Sequence, residues 1–201
     1  MKLDDIKNYN YQGIARGIVE DLNNNINGRV ALNDMLQSTH VLYIIKNLLE
    51  DKCKTVLEIG TLWGGALLTM MQTEYKSKFV SIDMFEGFYP ELLGEGNGDQ
   101  NFGINTIELV DENIKNNNPY QHEYDLIKGS SHDTKVINYV KENYPKIDLL
   151  FIDGDHTKKG VLQDWEDYSD LVTKGGIVVF DDYWIGEYVR AAWRKEDDDG
   201  V

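Results

Sequence analysis

Five short apolar segments, each followed by a stretch with helical spacing, constrain the fold of this chain more than any other feature. The segments are 55–60, 78–83, 124–129, 147–153 and 176–181, and each ends in a glycine or an aspartate. The last two are apolar on both faces, which is typical of central strands in a parallel sheet covered by helices. Right-handed crossovers between such strands predict a three-layer, doubly wound α/β fold with a mostly parallel sheet.

The chain before residue 54 has helical spacing and no strand-like segment. Leu36, His40, Tyr43, Ile44 and Leu48 would share one face of a helix there, because they recur at a spacing of about three to four positions. We therefore divide the chain into a helical amino-terminal unit, 1–53, and an α/β domain, 54–201. After the fifth strand, the spacing predicts one more helix.

Composition excludes several classes of partner. The chain has 201 residues, 20 Lys and Arg against 35 Asp and Glu, and a formal net charge of −15. Nucleic acids and anionic membranes are bound through clustered Lys and Arg, and this sequence has no such cluster. The single cysteine, Cys53, excludes a disulfide framework and a cysteine-based zinc site. With no apolar stretch of roughly 20 residues and no secretion signal, we expect a cytoplasmic protein.

A glycine-containing loop, 60–65, follows the first strand. In a dinucleotide fingerprint the second glycine lets the backbone approach the pyrophosphate, but here that position is Leu62. Glu58 would also place a negative charge near a phosphate. Both features disfavour NAD and FAD and are compatible with a cofactor that has a cationic centre, such as S-adenosylmethionine. The alternative is that Gly60 and Gly64 only permit a tight turn.

Polar residues also end the second and third strands. Asp83 could accept the hydroxyls of a ribose, or it could cap a helix. The small polar loop 129–133 could hydrogen-bond the edge of an adenine. Ser131 or Asp133 could equally cap the next helix.

Acidic residues cluster after the fourth and fifth strands, which we expect to be neighbours. They are Asp153 and Asp155 after one strand, and Asp181 and Asp182 after the other. Crowded carboxylates resist ionisation unless a cation neutralises them, and oxygen ligands of this kind suit Mg²⁺. His156 lies in the same segment and could act as a general base. The alternative for Asp155 is that it caps the following helix.

Four motifs together resemble a known family. They are 56–65, 81–83, 151–156 and 175–183, and their order and spacing are similar to those of class I S-adenosylmethionine-dependent methyltransferases. The closer resemblance is to metal-dependent O-methyltransferases of the macrocin type, with catechol O-methyltransferase more distant. The resemblance covers about 54–183 and implies a Rossmann-like methyltransferase fold.

The resemblance also implies roles for individual residues. It implies an O-methyltransferase that uses Mg²⁺ or another divalent cation and acts on a hydroxyl of a sugar, a phenol or a natural product. His156 or Asp155 would be the general base, and the metal ligands would be Asp153, Asp181 and Asp182. The cofactor-binding residues would be Glu58, Gly60, Thr61, Trp63, Gly64, Asp83, Met84, Ser131, His132 and Asp153. The 1–53 unit and the glycine-rich stretch 86–101 would cover the substrate.

The chain departs from this family at its carboxyl end. Family members continue beyond the fifth strand with an antiparallel pair of strands, whereas the spacing here predicts a helix at 187–195. An apparently missing pair would leave an exposed apolar edge on the fifth strand, which a second copy of the chain could cover.

Two other classes of function fit parts of the sequence. Asp153, Asp155 and Thr157 match the Asp-x-Asp-x-Thr motif of magnesium-dependent phosphatases, but too little chain separates them from Asp181 for that fold. The second alternative is a protein of the same fold that binds a nucleoside-like ligand without turnover or catalyses a different, hydroxylase-like reaction.

Overall fold

The computed structural model describes residues 9–30, 37–86, 105–155, 157–181, 184–185, 187–188 and 192–194. Its helices are α1 Tyr9–Asn25, α2 Gln37–Leu49, α3 Gly65–Met70, α4 Ile107–Asn117, α5 Thr134–Asn143 and α6 Lys158–Tyr168. Its strands are β1 Thr55–Ile59, β2 Lys78–Asp83, β3 Glu123–Lys128, β4 Ile147–Ile152, β5 Val172–Phe180, β6 Trp184–Ile185, β7 Glu187–Tyr188 and β8 Ala192–Arg194. Short 3₁₀ turns occupy Glu50–Lys52 and Ser169–Leu171.

The main sheet has the order β3-β2-β1-β4-β5-β8, and its first five strands are parallel. The order reverses beside β1, so the sheet is doubly wound as predicted. Three of its helices begin at capping side chains, because Thr106, Asp133 and Thr157 each accept a hydrogen bond from a backbone N–H of the first turn.

Two hydrophobic cores lie on opposite faces of the sheet. Alternate residues of β1 supply both, since Val56 belongs to one core and Leu57 to the other. The first core includes Leu42 and Ile45 of the amino-terminal helices. Helices α1 to α4 therefore cover one face, and α5 and α6 cover the other.

The carboxyl end corrects one prediction. The helix expected at 187–195 is wrong, because the described residues there form β7 and β8. Strand β8 pairs antiparallel with β5, with Ile177 opposite Arg194. The sequence predicts that the antiparallel strands beyond the fifth strand are missing, but β8 is one such strand. An apolar strand edge at 177–179 leaves backbone donors and acceptors unpaired, and pairing them outweighs the local helical spacing.

The predicted loop at 86–101 falls almost entirely outside the described residues.

No helix in the described part of the chain is long and apolar enough to cross a membrane.

A buried polar cluster lies at the amino end of the sheet, away from the carboxyl ends of the strands. The imidazole of His122 is 3% exposed. Its Nδ1 accepts a hydrogen bond from the Ser77 N–H at 3.2 Å, so its Nε2 carries the hydrogen that points to the Thr73 carbonyl oxygen at 2.9 Å. Burial lowers the pKa of His122, and the nearby Lys46 ammonium lowers it further.

We predict that His122 makes the fold sensitive to acid. A histidine pKa that is lower in the folded state favours unfolding once the pH drops below about 6.5, where the unfolded chain gains a proton that the folded chain resists. The free energy of unfolding should then fall by up to about 1.4 kcal/mol per pH unit. Urea denaturation between pH 8 and pH 5 measures this slope. In His122→Gln the slope should be shallower, and equal slopes in both proteins would contradict the assignment.

Candidate active site

The carboxyl ends of four parallel strands form one row. Four residues near these ends lie in register across β2, β1, β4 and β5: Ile82, Ile59, Ile152 and Phe180. The residues that follow them, which we call the carboxyl row, are Asp83, Gly60, Asp153 and Asp181. Three backbone bonds extend the ladder into the row: Gly60 N–H to the Ile82 oxygen, Asp153 N–H to the Ile59 oxygen, and Asp181 N–H to the Ile152 oxygen. The topology thus brings together residues that are far apart in the chain.

Gly60 makes the turn from β1 into the glycine loop. Its φ of +88° lies in the left-handed region, and a Cβ there would overlap the Asp153 carbonyl oxygen. Glycine is therefore required both for the backbone conformation and for the close approach to β4. Gly64, with φ +83°, precedes α3, and its N–H bonds the Thr61 carbonyl oxygen at 2.7 Å. Leu62 has φ +50° although it carries a side chain.

Glu58 lies beneath this loop and is fully buried. Its Oε2 accepts a hydrogen bond from the Ser81 hydroxyl at 2.6 Å, and the Thr61 hydroxyl bonds Ser81 in turn. Its Oε1 has no hydrogen-bond partner among the described residues. Burial raises the pKa of Glu58 well above its usual range, and the charges of Asp153 and Asp83 raise it further. A cation beside Oε1 would reverse this effect.

Asp83 fastens the glycine loop. Its Oδ2 accepts the N–H groups of Thr61 at 2.8 Å and Leu62 at 3.0 Å, and its Oδ1 accepts the Phe85 N–H at 2.7 Å. The side chain of Asn105 also donates to Oδ1, at 3.3 Å. Beside Asp83, Met84 is half-buried.

Trp63 is directed into the protein. Its ring is 2% exposed and packs against Gly28, where φ is +119° and a Cβ would overlap the indole. Asn113 donates to the carbonyl oxygens of Trp63 at 3.1 Å and Asn27 at 3.0 Å. The amino-terminal unit is therefore attached to the glycine loop at this point.

The loop after β3 is tied to α6. The hydroxyl of Tyr168 donates to the Ser131 carbonyl oxygen at 2.6 Å. Nδ1 of His132 lies 3.4 Å from the Asp164 carboxylate and 3.6 Å from the Asp167 carboxylate. Asp164 is fully buried, and burial raises its pKa.

The segment after β4 begins α6. Oδ1 of Asp155 accepts the Thr157 N–H at 2.9 Å, and its carboxyl group lies directly against Gly160. Thr157, rather than Asp155, is the helix cap, since its hydroxyl accepts the Gly160 N–H at 3.0 Å. His156 lies outside the described residues.

Of the three predicted metal ligands, Asp153 and Asp181 lie side by side in the carboxyl row. Asp182 falls outside the residues that the structure describes. Within the described ranges, no group of three or more His, Cys, Asp or Glu side chains is arranged to hold a metal ion.

Several residues of this region carry no motif in the sequence. Gly28, Asn113, Asn105 and Asp164 reach the site from other parts of the chain. Their roles depend on contacts over long sequence separations. Glycine and asparagine are common in turns and loops, so their identity alone does not mark Gly28, Asn113 or Asn105 as part of a site.

The fold and the carboxyl row are those of a doubly wound α/β protein, a class in which ligands bind at the carboxyl ends of the strands where the strand order reverses. A methyltransferase-domain family model matches residues 57–183, which is more than half of the chain. The chain belongs to this family.

One curated relative is an uncharacterized protein of Acanthamoeba polyphaga mimivirus. It is 35% identical over 144 residues, which are 72% of this chain and 58% of the relative. This chain therefore spans little more than half the length of that protein.

Solved structures share the fold at low identity. The calicheamicin methyltransferase CalS11 is 20% identical, with a TM-score of 0.50, 87% of this chain covered and 77% of that chain. An O-methyltransferase from Bacillus cereus in complex with SAH is 15% identical, with a TM-score of 0.52 and coverages of 86% and 66%. The mycinamycin-pathway methyltransferase MycE, in complex with Mg and SAH, is 16% identical, with a TM-score of 0.50 and coverages of 83% and 40%.

We predict that Gly60→Ala destabilises the protein severely, by about 3 kcal/mol or more, because the new Cβ overlaps backbone and the φ is left-handed. The matched control is Gly13→Ala in α1, where a Cβ meets nothing within 4 Å. That change should stabilise the protein by about 0.5–1 kcal/mol. Urea denaturation of both variants measures the difference, and similar effects at the two positions would contradict it.

Proposed function

We propose that this chain is an S-adenosylmethionine-dependent O-methyltransferase that acts, with a divalent cation, on a hydroxyl group of a small molecule. The observation that carries the proposal is the buried Oε1 of Glu58, which has no hydrogen-bond partner among the described residues and lies beneath the glycine loop. An orphaned carboxylate oxygen is costly unless a cation or donor reaches it. Family membership supports methyl transfer as the reaction.

The residues at and after the carboxyl ends of β1, β2 and β3 fit this cofactor. Glu58 would face its positively charged methionine part, Asp83 its ribose, and the loop of Ser131 and His132 its adenine. The turn at Gly60 packs the start of the glycine loop closely against the Asp153 backbone. When bound, the cofactor supplies an electrophilic methyl group on a positively charged sulfur. Holding it in line with the substrate oxygen would provide much of the rate.

The acids of β4 and β5 would hold a divalent cation. Asp153 and Asp181 are neighbours in the carboxyl row, and Asp182 follows directly in the sequence. Mg²⁺ is commonly bound through one or two carboxylates, with water or substrate completing its shell. When bound, such an ion lowers the pKa of a substrate hydroxyl. The MycE structure, which shares this fold, contains Mg.

His156 is the better candidate for the general base. The Asp155 carboxylate is engaged by the Thr157 N–H and lies against Gly160 at the start of α6. His156 follows Asp155 directly in the sequence. Its imidazole would accept the proton of the substrate hydroxyl and leave the charge on the oxygen.

The amino-terminal unit 1–53 would cover the substrate, and its attachment at Trp63 and Gly28 supports this position. We also propose a cytoplasmic location and small-molecule rather than nucleic-acid substrates, on the basis of the net charge of −15. Because β8 pairs with the edge of β5, that edge gives no reason to require a second copy.

Calorimetry with S-adenosylmethionine tests the cofactor proposal. The wild-type protein should bind it, and Glu58→Gln should bind it at least about tenfold more weakly, because the amide keeps the shape but loses the charge. The variant should resist urea as well as the wild type does, since Ser81 can still donate its hydrogen bond.

A panel of catechols, sugars and phenolic natural products, with release of S-adenosylhomocysteine as the readout, then tests turnover. Absence of cofactor binding would sink the proposal. Binding without product from any acceptor would favour a non-catalytic protein of the same fold.

We expect the metal to depend on the acids of β5. Titration with Mn²⁺, followed by the electron paramagnetic resonance of the free ion, should show binding in the wild type. Asp181→Asn and Asp182→Asn should weaken it by about tenfold or more and leave the affinity for S-adenosylhomocysteine within about threefold.

The matched control for the metal titration is Asp148→Asn at the amino end of β4. Asp148 accepts the N–H groups of Lys54 and Thr55 there. This variant should bind Mn²⁺ as the wild type does. If all three variants behaved alike, the metal assignment would be wrong.

A further inference from the structure

One buried side chain joins the two halves of the cofactor region. Asn105, which precedes α4, is 3% exposed. Its Nδ2 donates to the Leu62 carbonyl oxygen at 3.0 Å and to Asp83 Oδ1 at 3.3 Å. It therefore contacts both the glycine loop and the acid at the end of β2. No motif marks Asn105 in the sequence.

These contacts hold backbone that is strained. Leu62 and Phe85 have φ values of +50° and +49°, a region that residues with a side chain rarely occupy. The N–H groups of both are bonded to Asp83. Asn105 bonds the carbonyl oxygen of Leu62, so this residue is held on both sides. Such conformations persist only where the surroundings enforce them, and they concentrate at functional sites.

The four donors also fix the orientation of the Asp83 carboxyl group. Backbone N–H groups occupy Oδ2 at 2.8 Å and 3.0 Å, and the Phe85 N–H occupies Oδ1 at 2.7 Å. The Asn105 contact is longer, because its amide is bonded more closely to Leu62. Each oxygen of Asp83 thus accepts two donors, and Oδ1, which has the longest of the four contacts, is the less tightly engaged of the two. Asn105 helps to set the direction in which Oδ1 faces.

We propose that Asn105 is a positioning residue for cofactor binding, which orients Asp83 Oδ1 toward a ribose hydroxyl and keeps Leu62 in its left-handed conformation. This inference rests on the proposed function, since it assumes an adenosyl ligand. Asn105 acts through Asp83 and Leu62 and need not touch the reacting atoms. Its removal should therefore weaken recognition of the ribose specifically.

A thermodynamic cycle separates this role from general support of the fold. Calorimetry would compare S-adenosylhomocysteine with its 2′-deoxy and 3′-deoxy analogues. In the wild type, the analogue that lacks the ribose hydroxyl donating to Asp83 should bind about tenfold or more weakly, as expected for loss of a hydrogen bond to a charged group. In Asn105→Ala, the affinity for S-adenosylhomocysteine should fall about tenfold, and the deoxy penalty should shrink to about threefold or less.

The matched control is Asn118→Ala at the far end of α4. Asn118 also makes two hydrogen bonds, from Nδ2 to the His122 carbonyl oxygen and from the His122 N–H to Oδ1. This variant should keep the full deoxy penalty. Should Asn105→Ala fail to fold, Asn105→Ser removes the reach to both acceptors with a smaller loss of polarity and is judged by the same cycle.

Two results would overturn the inference. One is an unchanged affinity for S-adenosylhomocysteine in the Asn105 variant. The other is a loss of affinity with an undiminished deoxy penalty, which would show that Asn105 supports the fold alone. If the wild type bound none of these ligands, the proposed function itself would fail, and that outcome is distinct from both.

Discussion

The candidate site depends on the hydrogen bonds that the Asp83 carboxylate accepts. Their donors are the backbone N–H groups of Thr61 and Leu62, in the loop after β1, and of Phe85, in the connection after β2. The glycine loop therefore does not hold its shape by its glycines alone. Phe85 follows β2 and Asn105 precedes α4, and both residues donate to the same oxygen of Asp83. Residues on either side of 87–104 are thus anchored at the cofactor region.

The register of the parallel strands explains why chemistry from distant parts of the chain converges. Because Ile82, Ile59, Ile152 and Phe180 lie level with one another in the sheet, the residues that follow them are brought to the same edge. The parallel strands β2, β1 and β4 continue into crossover connections rather than tight hairpins, and the first residues of those connections carry polar groups. Gly60 is the one member of the carboxyl row without a polar side chain, because any side chain there would overlap the backbone of Asp153.

The positions of Gly60, Asp83, Asp153 and Asp181 could be predicted because each directly follows an apolar strand. A run of buried residues identifies the strand, and the strand-end rule then identifies the site. The same reasoning failed at 187–195, where pairing with β5 overrides the helical spacing. It also could not predict that Trp63 packs against Gly28, because that contact depends on how the amino-terminal helices sit against the loop.

The acidity of the site has a consequence for its ligand. Burial raises the pKa of Glu58, and the nearby charges of Asp153 and Asp83 raise it further. A neutral or anionic ligand would leave this repulsion in place, and a phosphate would increase it. A ligand with a positive charge near Glu58 would remove it and would also satisfy the buried Oε1. This is the physical basis of the proposed cofactor: a positive charge beside Glu58 would favour its ionised form, and contacts to ribose and adenine would distinguish one cationic ligand from another.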